Sequence, residues 1–197
     1  MEKPSKPERP WNAFIELTRE KPPHASLLEA LPLVTGRKAA IDIGAGALRD
    51  TKFLLKEGFD KVVAIDNATS FKNVASEIHD DRFQAVEGSF EAFDFPTAAY
   101  DIVNAQYSLP FAKPETFAAL FQRIKESVAA DGVFVGQLLG PNDGWKNDPG
   151  MNFHTRADVE GLLADMNIIK LDEKDVDGEM VTGQKKHWHR FDIIARK

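Results

Sequence analysis

The chain predicts an α/β fold: a seven-stranded, mostly parallel sheet with helices on both faces and its last strand reversed. From Ala39 onward, short apolar runs alternate with segments of helical apolar spacing, the pattern of strands joined by crossover helices. In Ile41 to Thr51, IDIGAGALRDT, an apolar run breaks at Gly44-Ala45-Gly46 and a helix follows from about Leu48. Between the sixth and seventh apolar runs lies only Asp175 to Lys185, too short for a parallel crossover, so the last strand runs backward.

Taken in order, residues 1–10 hold three prolines and five charged side chains and read as a mobile arm. Residues 11–197 read as a single domain. In WNAFIELTRE, Trp11, Phe14 and Ile15 share one face of a short helix. Pro22-Pro23 ends it, and His24 to Leu33 has the spacing of a second helix. Strands are expected at 39–43, 62–66, 83–87, 101–105, 132–138, 168–174 and 188–195. The clearest helix is Pro114 to Ala129, where Phe117, Leu120, Phe121, Ile124 and Val128 form a core stripe before Asp131-Gly132.

Composition narrows the function. With 197 residues and 43% hydrophobic content, the chain can build one well-cored α/β domain. It has no cysteine, so disulfides, thiolate metal sites and cysteine nucleophiles are excluded. No apolar run approaches the roughly 18 residues of a membrane span, and the charged, proline-rich opening lacks the apolar centre of a signal peptide. A cytoplasmic protein without membrane contact is the expectation. Net charge is −6 with scattered lysines and arginines, which argues against nucleic acid as substrate. The oligomeric state is left open.

The glycine turn reads as a nucleotide cradle, with a sharp backbone bend and the N–H groups of a helix start facing the ligand. Asp66 ends the second strand 20 residues beyond Gly46, where a carboxylate can accept both ribose hydroxyls of an adenosine. A nicotinamide-type fingerprint would need glycine at position 49, and Arg49 stands there. Ligands in such sheets bind outside the carboxyl ends of the strands. That rule sets Gly88, Ser89 and Phe90, after the third strand, beside an adenine. It places Asn104 to Phe111 at the fourth strand's exit, and Trp145 and His154 in the long connection after the fifth. The reversed strand brings His187, Trp188 and His189 to the same edge, with both histidines on one face. Their H-x-H spacing lacks a third ligand nearby, so no metal site is assigned.

The pattern D-x-G-x-G, here Asp42, Gly44 and Gly46, resembles motif I of the class I S-adenosylmethionine (SAM)-dependent methyltransferases. Many members carry another glycine where this chain has Leu48. The order WNAFIELT, KPPH, DIGAGALRDT, VVAID, YDIVNAQYSLPF, GVFVGQLLGPNDGW and KKHWHRFDIIARK looks like small bacterial methyltransferases of the tellurite-resistance-related kind. The resemblance implies a Rossmann-like three-layer sandwich with the seventh strand inserted between the fifth and sixth. It implies SAM as cofactor, held by Asp42, Gly44, Ala45, Gly46, Asp66, Asn67, Ser89, Phe90 and Gln106. Arg49 alters the charge near the cofactor's methionine part. The family keeps its motif IV at Gln106 and Tyr107, so these flank the reactive methyl. With Trp145, His154 and His187 they make up the expected catalytic, acceptor-side group. The helix Trp11 to Arg19 is expected either to fold over the cofactor edge as a lid or to pack elsewhere on the core.

Methyl transfer from a sulfonium needs little acid–base machinery, because positioning supplies most of the rate. If the acceptor must lose a proton, His187 or His154 is the expected base. The principal reading is a methyltransferase acting on a small-molecule acceptor. The alternatives are a SAM-using cyclase or lyase, or a non-catalytic SAM-binding or interaction protein.

Overall fold

A computed structural model describes residues 11–197; the arm expected over residues 1–10 lies outside the described residues. The sheet runs β3-β2-β1-β4-β5-β7-β6, built from β1 (Ala39–Ile43), β2 (Lys61–Asp66), β3 (Phe83–Glu87), β4 (Tyr100–Ala105), β5 (Val128–Leu139), β6 (Asn167–Glu179) and β7 (Lys185–Arg196). β1 to β5 pair in parallel, and β7 is antiparallel to both β5 and β6. The reversal and the insertion of the last strand are therefore both present. Strand order switches between β1 and β4, which sets the ligand edge at their carboxyl ends.

Alternation along each strand sends side chains into two cores. Ile41, Val103, Phe134 and Ile193 pack with Phe117, Leu120, Phe121 and Ile124 of α5 (Phe117–Ser127) and Val159 of α6 (Arg156–Leu162). Their neighbours Ala40, Ile102, Val133 and Ile194 pack with Leu27 of α2 (Ala25–Ala30) and with Leu54 and Leu55 of α3 (Arg49–Lys56). Burial on both faces explains why these strands read as unbroken apolar runs.

Three boundaries depart from the sequence expectation. The helix drawn to Ala129 stops at Ser127, and Val128 already pairs with Tyr100 in β5, across an irregularity in register. Asp131 takes a left-handed φ of 61° there, and a Cβ on Gly132 would stand 2.9 Å from the Ala129 carbonyl. Next, most of the connection expected over 175–185 is itself strand: β6 and β7 continue as a hairpin and turn at Gly183, whose φ is +80°. Its residues are exposed on both faces of β6, so no apolar alternation signals it. Finally, helices are sparser than expected: α4 (Phe71–Ala75) has 5 residues, and no helix forms between β3 and β4. No helix among the described residues is long and apolar enough to cross a membrane.

Candidate active site

The turn after β1 is held from beneath. The N–H groups of Gly44 and Ala45 both donate to the Ile65 carbonyl, at 2.8 and 3.0 Å, and that of Gly46 donates to Asp66 Oδ2 at 2.8 Å. These three amides are consumed by the fold. What the turn offers instead is an oriented carboxylate. Asp66 Oδ1 accepts from Ala68 N–H at 2.8 Å, so each oxygen has one protein donor and keeps acceptor capacity for a hydroxyl. Gly44 has a packing role, since a Cβ there would come within 2.3 Å of Ser108 Cβ. Among the described residues only Ile15 comes within 4 Å of where a Cβ on Gly46 would stand, at 3.9 Å. Leu48 closes the turn in the left-handed region, at φ 60°, the position where glycine would be unstrained. Ser108 Oγ is buried beside this turn and has no hydrogen-bond partner among the described residues. An oriented carboxylate, a turn open above Gly46 and an orphan hydroxyl together fit an adenosine with its polar tail.

Beneath the turn lies a buried polar network. Asp42 accepts from Thr51 Oγ1 at 2.7 Å and from Asn104 Nδ2 at 2.8 Å, and Asn104 Nδ2 also donates to Asp50 at 3.0 Å. Gln106 donates to Asn104 Oδ1 at 2.7 Å and accepts from Ser26 and Gln137, each at 2.8 Å. Burial, followed by the nearby Asp50 charge, pushes Asp42 up to about 7. Burial also opposes the Asp50 charge, but the hydrogen bonds from the His24 ring, the His24 backbone and Asn104 outweigh it and hold Asp50 below its ordinary value. Asp42 and Gln106, both expected to touch the cofactor, are thus engaged with protein partners and shape the turn from behind.

At the mouth, aromatic side chains succeed one another along the carboxyl edge. Trp11 of α1 (Trp11–Thr18) meets Phe111 at 4.8 Å between ring centres, Phe111 meets Trp145 at 5.9 Å, and Trp145 meets Trp188 at 5.9 Å. Trp188 meets Tyr107 at 5.8 Å, and Tyr107 meets His24 at 5.7 Å. The arc begins on α1 and ends at His24, the residue before α2. Tyr107 holds a left-handed φ of 56°, a costly conformation for a bulky residue and one concentrated at functional sites. The Gln137 side chain accepts from its N–H at 3.0 Å and holds it there. Burial raises its phenol above the ordinary value, against the charges of Arg190 and Arg49. α1 spans this edge: Ile15 is buried over the glycine turn, and Asn12 bonds Thr69 and Ser70 after β2.

Of the five residues expected on the acceptor side, the structure joins Tyr107 and Trp145 through Trp188 and sets Gln106 beneath them. The other two are elsewhere, and the expected five-way convergence is corrected. His187 lies on the opposite face of β7 from Trp188, bound to Asp175 at 2.5 Å and Asp177 at 2.7 Å, carboxylates that raise its imidazole above the ordinary value. His154 packs on Phe117 at 4.7 Å and lines a groove of about 500 Å³ between α5 and α6. Its Nε2 is buried without a partner, and burial pushes the imidazole below its ordinary value. The remaining cofactor candidates border the Asp66 side: Asn67 is exposed beside it, Ser89 bonds Glu91, and Phe90 packs half-buried against the core. Sequence reasoning missed His24, Lys186 and the contact role of Trp188. The one available signal was the period of β7, which puts Lys186, Trp188 and Arg190 on one face.

Residues 40–132 match the sequence model of the methyltransferase domain family. The matched segment is 93 of the 197 residues, just under half of the chain, and it supports a methyltransferase of the SAM-dependent class. The same match supports SAM as the methyl donor. In fold, the chain is similar to a SAM-dependent methyltransferase of Mesorhizobium loti, with 14% identity and a TM-score of 0.68 over 87% of this chain and 96% of that one. It is similar to TehB from Haemophilus influenzae, at 16% identity and a TM-score of 0.71, over 88% of this chain and 62% of that one. A third likeness is the 1,6-didemethyltoxoflavin-N1-methyltransferase of Burkholderia thailandensis, solved with 1,6-didemethyltoxoflavin and S-adenosylhomocysteine. The two share 18% identity with a TM-score of 0.62 over 98% of this chain and 92% of that one. At such identities these likenesses carry the fold alone and do not separate the tellurite-resistance-related group from other methyltransferases. No curated protein sequence matches the chain.

Proposed function

We propose that the protein transfers the methyl group of SAM to a small-molecule acceptor held against the aromatic arc. The arc itself carries this reading: rings contributed by α1, the residue before α2, β7 and the exits of β4 and β5 border the carboxyl edge next to the Asp66 turn. SAM, when bound, supplies an electrophilic methyl on a sulfonium and leaves as a neutral thioether. The protein's share is to bind, orient and exclude water. In this reading Asp66 takes the ribose hydroxyls, while Ser89, Phe90 and Asn67 border the adenine. Gly44, Ala45 and Gly46 shape the bed, and Asp42 and Gln106 brace it from below. Tyr107, Trp145 and Trp188 wall the acceptor. Aromatic faces suit both a flat acceptor and the positive charge of a sulfonium. A polymer would call for an open basic surface, which the net charge of −6 does not provide. The subtype we assign, tellurite-resistance-related, rests on the resemblance in segment order.

The experiment is mass spectrometry of the nucleoside product with a panel of small acceptors. S-adenosylhomocysteine with a methylated acceptor is the expected result. Methylthioadenosine in its place would identify a cyclase or lyase of the aminobutyl arm, and no SAM binding would leave an interaction protein.

A further inference from the structure

His24, Asp50 and Arg49 form a chain that the proposed methyl transfer leaves without a role. Asp50 is 3% exposed, and its Oδ1 accepts the His24 backbone N–H at 2.9 Å while its Oδ2 faces His24 Nδ1 at 2.7 Å. A carboxylate held below its ordinary value accepts only, so Nδ1 carries the proton. The other ring nitrogen, Nε2, faces the Arg49 guanidinium, which can only donate, so Nε2 offers its lone pair. Both constraints select one neutral tautomer. Arg49 has a second anchor at the Pro22 carbonyl, 3.3 Å away, and makes no ion pair among the described residues.

The arrangement separates direction from charge. A carboxylate bonded directly to Arg49 would fix the guanidinium but cancel its charge. A neutral imidazole between them fixes it and leaves the charge available to an anion. Arg49 is also the first residue of α3, at the positive end of that helix and directly after the turn that orients Asp66. The imidazole it bonds stands 5.7 Å from the Tyr107 ring, which places it on the cleft side.

We propose that His24 is a positioning residue, locked by Asp50 so that Arg49 is aimed at the carboxylate of the methionine arm. This rests on the SAM-binding reading above. Calorimetry with SAM and with decarboxylated SAM, which keeps the sulfonium and amine and lacks only the carboxylate, tests it. His24→Leu should weaken SAM by about tenfold or more, roughly 1.4 kcal/mol per decade, and leave decarboxylated SAM within about twofold. Arg49→Met, at the part-exposed start of α3, should discriminate in the same way should His24→Leu fail to fold. Equal losses for both compounds, or no loss for either, in a folded variant overturn the assignment while SAM binding by the unaltered protein stands. If the unaltered protein binds neither compound, the SAM-binding reading falls and this assignment with it.

Discussion

Lys186 Nζ lies 2.5 and 2.6 Å from the two carboxylate oxygens of Asp143, in a pair with side-chain exposures of 3% and 0%. The same ammonium stands 3.7 Å from the centre of the Trp188 ring and 4.3 Å from that of Trp145. One cation thus joins the loop after β5 to the start of β7 and sets two walls of the arc. Removing it leaves a buried, unpaired carboxylate, a change that costs about 3–5 kcal/mol. Lys186→Met should lower the urea unfolding free energy by that order, and adding Asp143→Asn should recover part of the loss. A Lys186→Met protein as stable as the wild type would show that the pair holds nothing.

Leu48 presents two opposed effects at one residue. Its left-handed backbone costs about 1–2 kcal/mol relative to glycine, whereas its fully buried side chain is worth about 2–5 kcal/mol in packing. Packing wins, so Leu48→Gly should destabilise by about 2 kcal/mol. Leu48→Ala loses most of the packing and keeps the strain, so it should be less stable than Leu48→Gly. The reverse order in chemical denaturation would mean that the turn relaxes in the variants.

The sheet was legible because strands buried on both faces leave apolar runs that need no partner to be recognised. The reversal of β7 was legible from the short connection, but the outer part of the β6–β7 hairpin was not, since its polar, two-sided exposure has no period. At the site, the glycine turn and Asp66 were legible as a local motif. The arc was not: Trp188 and Tyr107 lie 81 positions apart, and the pattern of β7 separates His187 from Trp188 without saying which faces the ligand edge. The histidines drew attention by type, yet His24, alone in KPPH, is the one beside the turn because α2 folds back onto α3.

Asp42 makes the stability depend on pH with a definite sign. Its carboxyl is raised from 3.8 to about 7 in the folded protein, by burial first and then by Asp50. A raised group contributes stability below the unfolded value and loses it as pH rises through the folded one, so wild type should lose ground between about pH 4 and 7. Asp42→Asn keeps an acceptor for one neighbour and does not ionise. Its stability relative to wild type should therefore be more favourable at pH 8 than at pH 4.5, measured by urea unfolding at both. A pH-independent difference would show that Asp42 ionises in the folded state as freely as in the unfolded one.

α1 rests on the edge by few anchors: Ile15 over Gly46, Trp11 against Phe111, Asn12 on Thr69 and Ser70, and Arg19 paired with Glu77. Only Ile15 is buried, so the helix contributes little core, while it bridges the exits of β2 and β4 across the turn that orients Asp66. An element so placed, with few buried apolar contacts, belongs to the weakly protected part of a structure from which lids are drawn. Deleting the chain up to residue 21 should weaken SAM binding by about tenfold or more, about 1.4 kcal/mol per decade, and shift the melting temperature by only a few degrees. The same deletion should leave the far-ultraviolet circular dichroism of the sheet intact. If instead the melting temperature falls steeply and SAM still binds below it with unchanged affinity, α1 is part of the core and the cleft is open without it.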